Sequence, residues 1–311
     1  MRDVATKTIV VVTTGGTIAG TASPDGAIHP TVDGSAFIAN AKAPADVDLR
    51  LHDLMSTDSA RMSFVEMDSI AAAVATAMAD ESVDGVVILH GTDTMQETAM
   101  LVDLQHDDAR PVVFTGAQRP ADHSEPDGPG NLTAAIALAA DVESRGRGVL
   151  ISFGDEVVPA RGARKVHTTD LRGFDGTAAA RKVLGRCAIA GTRVDIVTLY
   201  PDVDATAIDA YVAGGASGLV LEAMGSGNAN PTVVDAVRRS VAAGVTVVVT
   251  SRVHEGPVAA TYGGGGGGVD LVAAGALVST NLRASQARIL LAALLAHKSP
   301  QADIADWFSA S

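Results

Sequence analysis

The sequence contains little cysteine and little positive charge. Cys187 is the only cysteine among 311 residues, so no disulfide can form within the chain. This excludes the disulfide-stapled scaffolds of small secreted proteins and zinc sites built from several thiolates. Lys and Arg number 23 against 36 Asp and Glu, which gives a formal net charge of -13. Such a surface repels phosphate groups, so we expect neither nucleic acid nor a membrane as a partner.

The sequence also lacks a visible targeting segment. Residues 1–7 carry charges and run directly into the apolar stretch 8–12, which is far too short to span a bilayer. We therefore expect a cytoplasmic protein. Hydrophobic residues make up 47% and charged residues 19%, which is ordinary globular usage. A chain of 311 residues exceeds one typical domain of about 100 to 200, so two domains are expected.

Short apolar, β-branched runs alternate with longer alanine-rich segments, as in parallel strands covered by crossover helices. This pattern predicts strands at 8–12, 86–89, 112–115, 149–153, 195–199, 218–221 and 245–250. It predicts helices at 64–78, 95–105, 131–142, 205–213, 231–243, 285–297 and 301–308. The predicted fold class is α/β. A larger N-terminal domain has a mostly parallel sheet with flanking helices, and a smaller C-terminal α/β domain follows.

The expected boundaries are a catalytic domain at 1–170, a linker at 171–192 and a second domain at 193–311. The linker lacks a clean period and is broken by glycines. The glycine run 263–268 cannot pack side chains, so we expect a mobile surface loop there.

Two threonine-rich turns follow predicted strands. The first is TTGGTIAG at 13–20, which places Thr17 at the carboxyl end of a parallel strand, where open α/β sheets bind ligands. The second is HGTDT at 90–94, which opens a predicted helix. An ordinary glycine-rich turn and a helix cap would explain either segment alone. No dinucleotide or P-loop fingerprint is present, so two such turns together favour chemistry at these strand ends.

These two segments resemble the signatures of the bacterial asparaginase and glutaminase-asparaginase family. The similarity continues through TGAQRP at 115–120, DGPGNL at 127–132, RKVHTTD at 164–170, GSGN at 225–228 and QAR at 286–288. It covers nearly the whole chain. The resemblance implies the two-domain asparaginase-like fold, hydrolysis of L-asparagine to L-aspartate and ammonia with minor glutaminase activity, and no cofactor or metal.

By this resemblance Thr17 is the first nucleophile, and Thr92, Asp93 and Lys165 form a hydrogen-bonded set beside it. A threonine hydroxyl is a poor nucleophile at neutral pH, so it needs a group to take its proton. It also needs donors for the developing oxyanion, for which the backbone amides around Thr92 and Ala117 are candidates. A lysine beside a carboxylate retains its proton, so we favour a relay or electrostatic role for Lys165. Thr92 could still attack first through its Lys165 partner.

The remaining site residues implied by the resemblance bind the substrate. Ser59 aligns with the serine that holds the α-carboxylate, with Ser56 as the alternative. Asp93 would face the substrate ammonium, since a carboxylate there gives charge-assisted recognition. Gly91, Thr92, Ala117 and Asn228 complete the expected substrate-binding set.

The sequence departs from the family in two places. The mobile loop at 21–34 lacks the family tyrosine, so we expect His29 or Thr31 to contact the nucleophile instead. The glycine run stands where many members place an acidic residue near the substrate amine of a neighbouring subunit.

The resemblance implies a homotetramer, a dimer of close dimers, in which Asn228 and Ser226 line a neighbour's site. Two alternatives remain. One is an amino-acid-binding or sensor protein of the same fold, favoured by the missing tyrosine. The other is the amidase subunit of a tRNA-dependent amidotransferase, which carries a sizeable domain before its TGGT segment. We do not expect that subunit, because only 13 residues precede Thr14 here.

Overall fold

The computed structural model describes residues 6–23, 25, 28–30, 38, 41–176 and 181–309. The chain divides into two compact units, Met1–Arg186 and Cys187–Ser311. The domain boundaries at 170 and 193 stay a prediction.

The first unit contains a six-stranded sheet in the order β4-β1-β5-β6-β7-β8. The strands are β1 (Lys7–Thr13), β4 (Val47–Asp53), β5 (Gly85–Leu89), β6 (Val112–Thr115), β7 (Val149–Phe153) and β8 (Glu156–Pro159). The first five are parallel, and β8 is antiparallel to β7. Because β5, β6 and β7 are buried along their whole length, they read as continuous apolar runs in the sequence.

Within the described part of this unit, the sheet is covered by the α-helices α1 (Phe64–Met78), α2 (Met95–Gln105) and α3 (Gly128–Ala140). One apolar cluster joins alternate strand residues to α1 and α2, and a second joins the intervening residues to α3. The predicted bounds of α1 and α2 are confirmed. The bounds of α3 were wrong by two to three residues, because Pro129 is tolerated in the first turn and Asp141 caps a separate 3-10 turn at Val142–Ser144.

Short antiparallel pairs complete the first unit. Strand β2 (Gly20–Ala22) pairs with β3 (Ile28–Pro30), so the backbone of His29 lies opposite Thr21. Strand β9 (Arg164–Lys165) pairs with β10 (Phe174–Asp175). These strands are two or three residues long, which is too short for periodicity to reveal.

The second unit contains a four-stranded parallel sheet in the order β11-β12-β13-β14. Its strands are β11 (Val194–Thr198), β12 (Gly218–Ala223), β13 (Thr246–Ser251) and β14 (Leu277–Val278). Its helices are α4 (Thr206–Ala213), α5 (Pro231–Ala242), α6 (Gly268–Ala273), α7 (Ala284–Ala296) and α8 (Gln301–Ser309). The predicted fold class, a mostly parallel N-terminal sheet and a separate C-terminal α/β domain, is confirmed.

The glycine run 263–268 is held by a carboxylate. Asp270 Oδ2 accepts hydrogen bonds from the backbone N–H of Gly265 at 2.8 Å and of Gly267 at 2.9 Å. Gly268 is the first residue of α6, so the predicted loop ends one residue earlier than expected. A charged acceptor compensates here for the side-chain packing that glycines cannot provide.

Candidate active site

The two threonine-rich turns lie side by side because β1 and β5 are neighbours with parallel register, Thr13 opposite Leu89. Thr14 fastens the first turn to the end of β5. Its backbone N–H and its hydroxyl both donate to the carbonyl of Leu89, at 3.1 and 2.9 Å. The pairing of β1 with β5 therefore brings the two motifs close together at the carboxyl ends of these strands.

Glycines allow the two turns to touch. Gly15 and Gly16 have φ of 96° and 85°, a region that favours glycine. A Cβ on Gly16 would lie 2.5 Å from the Cα of Gly91, and one on Gly15 would lie 2.5 Å from the backbone nitrogen of Thr57. Either contact is far inside the normal separation, so both positions require a residue without a side chain.

Thr92, Asp93 and Lys165 form a directly bonded set. Lys165 Nζ donates to Thr92 Oγ1 at 2.8 Å and to Asp93 Oδ1 at 2.6 Å. Thr92 is 5% exposed, whereas the Asp93 side chain is 58% exposed. The set therefore runs from a buried hydroxyl through an ammonium to a carboxylate that solvent and solutes can reach.

Lys165 comes from a segment far away in sequence. Its backbone N–H donates to Gln96 Oε1 at 2.6 Å, and its strand β9 is paired with β10 through Phe174. Gln96 lies in the first turn of α2, which begins directly after the second threonine-rich turn. Sequence reasoning assigned Gln96 no part in the site. Its position three residues after Asp93, as a polar residue in the first turn of a helix, was the available signal.

Ser59 lies beside the second turn and is 3% exposed. Its Oγ accepts the backbone N–H of Asp93 at 3.3 Å, and its carbonyl accepts the hydroxyl of Thr94 at 2.9 Å. Ser56, the alternative, is exposed. Of the two serines, Ser59 is the one that contacts the HGTDT segment.

Thr17 begins a 3-10 turn, Thr17–Ala19, and is partly buried. Its hydroxyl makes no hydrogen bond to any residue that the structure describes. The side chain of His29 and the whole of the segment 31–37, which includes Thr31, lie outside the described residues. The expectation that His29 or Thr31 replaces the family tyrosine stays a prediction.

A third turn, after β6, lies next to the second one. His90 N donates to the carbonyl of Thr115 at 2.9 Å, and a Cβ on Gly116 would lie 2.4 Å from the carbonyl oxygen of His90. Ala117 follows and is 1% exposed. Asn131 Nδ2 donates to the carbonyl of Gly116 at 3.0 Å.

His90 is a buried residue that sequence reasoning did not assign a role. It is fully inaccessible, and its Nδ1 donates to the carbonyl of Gly91 at 2.7 Å. Burial lowers the pKa of His90 from 6.5 to about 4. The ring is therefore neutral at physiological pH, with its proton on Nδ1.

Asn228 lies in the second unit, where it forms a bridge with Met224. Its backbone N–H donates to the Met224 carbonyl at 2.7 Å, and its Oδ1 accepts the N–H of Gly268 at 3.3 Å. The first-unit residues of the predicted site lie around the turns that follow β1, β5 and β6, and these contacts of Asn228 are all within the second unit.

Within the described ranges, no group of three or more His, Cys, Asp or Glu side chains could hold a metal ion. Among the helices that the structure describes, none is both long and apolar enough to cross a membrane.

Comparison with known proteins identifies the family. The family model described as "Asparaginase, N-terminal" matches residues 8–196, and that described as "Glutaminase/Asparaginase C-terminal domain" matches residues 193–308. The chain therefore belongs to the asparaginase family, whose two-domain α/β fold it shares.

Three relatives show how far the similarity extends. L-asparaginase of Bacillus licheniformis is 31% identical over 93% of this chain and 96% of its own length. A probable L-asparaginase of Deinococcus radiodurans is 33% identical over 92% of each chain. The crystal structure of a probable cytoplasmic L-asparaginase from Campylobacter jejuni superposes with a TM-score of 0.85 at 28% identity, covering 98% of this chain and 100% of that one.

Proposed function

We propose that the protein is an L-asparaginase, which hydrolyses the side-chain amide of L-asparagine to L-aspartate and ammonia. The observation that carries the proposal is the contact of the Lys165 ammonium with the Thr92 hydroxyl, beside the turn that bears Thr17. Family membership supports the substrate class, since the Bacillus licheniformis relative is named an L-asparaginase.

The proposed nucleophile is Thr17. Thr17 is only partly buried, which suits a residue that must meet a substrate carbon. The Thr17 oxygen attacks the carboxamide carbon, the hydroxyl proton passes to the amide nitrogen, and ammonia leaves, so that an ester on Thr17 remains. Water then attacks the ester carbon and one of its protons goes to the Thr17 oxygen, which restores the hydroxyl and releases aspartate.

Thr92 and Lys165 are proposed to handle the proton. An ammonium 2.6 Å from a carboxylate and 2.8 Å from a hydroxyl stabilises negative charge on the Thr92 oxygen and can relay a proton through it. Thr92 is 5% exposed, which favours the relay role over direct attack. The backbone N–H groups of Thr92 and Ala117 are the proposed oxyanion donors.

Recognition of a free amino acid is proposed to fall to Asp93 and Ser59. The Asp93 side chain is 58% exposed, so its carboxylate can accept a substrate ammonium. Ser59 Oγ accepts the N–H of Asp93, which leaves the hydroxyl hydrogen to donate to the substrate α-carboxylate.

Assembly and location are proposed on the family likeness alone. We propose a homotetramer of close dimers, with Asn228 near a neighbour's site, and a cytoplasmic location like the one named for the Campylobacter jejuni protein. Light scattering during turnover tests the first, and an active monomer would rule it out. Fractionation of the source cells tests the second.

Ammonia release from asparagine, glutamine and buffer tests the activity. We expect turnover of asparagine and slower turnover of glutamine, because one methylene in a pocket changes specificity by about 10- to 200-fold. Equal rates on both amides would reject asparagine as the primary substrate. No ammonia from either amide, with asparagine still bound in calorimetry, would show a binding protein instead.

Two threonine variants test the nucleophile. Thr17→Val should abolish turnover and the ester that mass spectrometry detects after rapid acid quench with asparagine. Thr92→Val should slow turnover but leave the ester mass on the peptide that carries Thr17. An ester on the peptide that carries Thr92 would reverse the assignment.

A further inference from the structure

Two side chains hold the carbonyl groups that precede the proposed oxyanion donors. His90 Nδ1 donates to the Gly91 carbonyl at 2.7 Å, and Asn131 Nδ2 donates to the Gly116 carbonyl at 3.0 Å. Each carbonyl belongs to the same peptide unit as the next residue's N–H. These units are Gly91–Thr92 and Gly116–Ala117.

A trans peptide is planar, with its C=O and N–H pointing in opposite directions. Fixing the carbonyl of Gly91 therefore fixes the direction of the Thr92 N–H, which points away from the His90 ring. The Ala117 N–H is likewise turned away from the Asn131 amide. Neither N–H donates to a residue within the described part of the chain, so both donors are available to a ligand.

The two contacts come from opposite faces of the sheet. The His90 ring lies 5.9 Å from the Phe114 ring, and Phe114 packs in the apolar cluster of α1 and α2. Asn131 is in α3, whose Leu132 packs in the other cluster. The turns they hold are adjacent, because the His90 N–H bonds to the Thr115 carbonyl. Both N–H groups therefore lie at the carboxyl ends of β5 and β6. The carbonyl before each one is held by a side chain from a different face of the sheet.

Only one of the two ring nitrogens of His90 forms a hydrogen bond with a described residue. Its Nε2 is buried and has no hydrogen-bond partner among the described residues. A buried acceptor without a donor costs free energy, which an apolar side chain of similar size would avoid. The Nδ1 contact with the Gly91 carbonyl is the polar function that such a side chain would lose.

We propose that His90 and Asn131 are positioning residues, each aiming one backbone N–H at the oxyanion by holding the carbonyl of the preceding residue. This proposal rests on the proposed asparaginase activity. The two N–H donors act on charge that develops in the transition state. Loss of either the His90–Gly91 or the Asn131–Gly116 hydrogen bond therefore lowers kcat more than it changes KM.

The main test compares His90→Leu with His90→Asn, using asparagine as substrate. Leucine removes the donor. The asparagine amide nitrogen occupies the position of Nδ1, because both are bonded to Cγ. We expect kcat of His90→Leu to fall by about 10- to 100-fold with KM within about twofold, since a donor misplaced by about 1 Å loses most of its effect. His90→Asn should restore kcat to within about threefold of wild type.

His106 supplies a matched control. It is also buried, and its Nε2 donates to a backbone carbonyl, that of Arg110, at 2.9 Å. It lies at the end of α2, where that helix stops before β6. His106→Leu therefore removes the same kind of bond and should lower the melting temperature without lowering kcat.

Asn131→Asp tests the second hydrogen bond independently. It becomes the deciding variant for the proposal if His90→Leu does not fold. The ionised carboxylate keeps the acceptor that binds the Gly154 N–H, which is 3.2 Å from Asn131 Oδ1. It cannot donate to the Gly116 carbonyl, nor to Asp127 Oδ2, which Asn131 Nδ2 also contacts at 3.1 Å. We expect a similar fall in kcat at pH 8. Wild-type kcat in His90→Leu, or in Asn131→Asp if the former does not fold, would overturn the proposal. So would equal losses of kcat in His90→Leu and His106→Leu, or a His90→Asn variant as slow as His90→Leu. Wild-type protein that releases no ammonia would instead reject the proposed function.

Discussion

Gly16 and Gly91 stand back to back, so that a Cβ on Gly16 would lie 2.5 Å from the Cα of Gly91. This contact joins the two threonine-rich turns without any side chain between them. Thr17 and Thr92 follow these two glycines directly in the chain, so the contact holds the two proposed catalytic threonines on adjacent turns.

Gly91→Ala should lower both stability and asparagine turnover. The new Cβ would lie 2.4 Å from Ser59 Oγ and 2.7 Å from Ser59 Cβ, and such overpacking costs about 1 to 3 kcal/mol. The double variant Gly91→Ala with Ser59→Gly removes both clashing atoms. Chemical denaturation should show recovered stability in the double variant, while KM for asparagine stays raised because Ser59 is lost. No recovery would mean that Ser59 is not the obstacle.

Lys165→Met should lower kcat by about 100- to 10,000-fold with a smaller effect on KM, the range typical of a lost proton-transfer group. Lys165→Arg is the matched control, because arginine keeps the positive charge but does not give up a proton. Steady-state kinetics separates the roles. An arginine variant as slow as the methionine variant indicates proton relay, and one with substantial kcat indicates electrostatic stabilisation. Unchanged kcat in Lys165→Met would exclude both.

Stability should fall as the pH drops from 6.5 towards 4. Burial lowers the pKa of His90 from 6.5 to about 4 in the folded protein. Between these values the unfolded chain binds a proton that the folded one does not, so the free energy of unfolding decreases by about 3 kcal/mol over the interval. The stability associated with the neutral, buried His90 ring is fully present above pH 6.5. Urea titrations at pH 7 and 4.5 should show a smaller difference for His90→Asn than for wild type. An equal difference in both proteins would show that His90 is not responsible.

Asp103→Asn should destabilise the first unit by about 3 to 5 kcal/mol, the usual cost of leaving a buried charge uncompensated. Asp103 is 2% exposed and lies 3.0 Å from Arg181 Nε and 3.6 Å from Arg161 Nε. The control is Asp235→Asn, which breaks an exposed pair with Arg238 and should change stability by less than about 0.5 kcal/mol. Urea denaturation compares the two, and equal effects would contradict the prediction.

Much of the fold was predictable, because buried parallel strands appear in the sequence as continuous apolar runs and helix ends carry characteristic residues. The start of α5 is an example. Asn230 Oδ1 accepts the N–H of Val233 at 3.0 Å, and Pro231 occupies the first turn, where both residue types favour a helix start. Strand β4, the edge strand at Val47–Asp53, was missed. It is largely exposed, and its apolar and polar residues alternate instead of forming the continuous apolar run by which the buried strands were recognised.

The sequence alone placed Thr17, Thr92 and Asp93 at the ends of parallel strands, because each lies only a few residues after an apolar run. Tertiary structure alone decided that Lys165, 73 residues beyond Thr92, bonds to its hydroxyl. It also decided that His90 and Asn131 hold neighbouring peptide units. Hydrogen bonds depend on distances of about 3 Å between atoms brought together by strand order and helix packing. Local patterns along a chain do not contain that strand order, so these contacts could be found only in the folded protein.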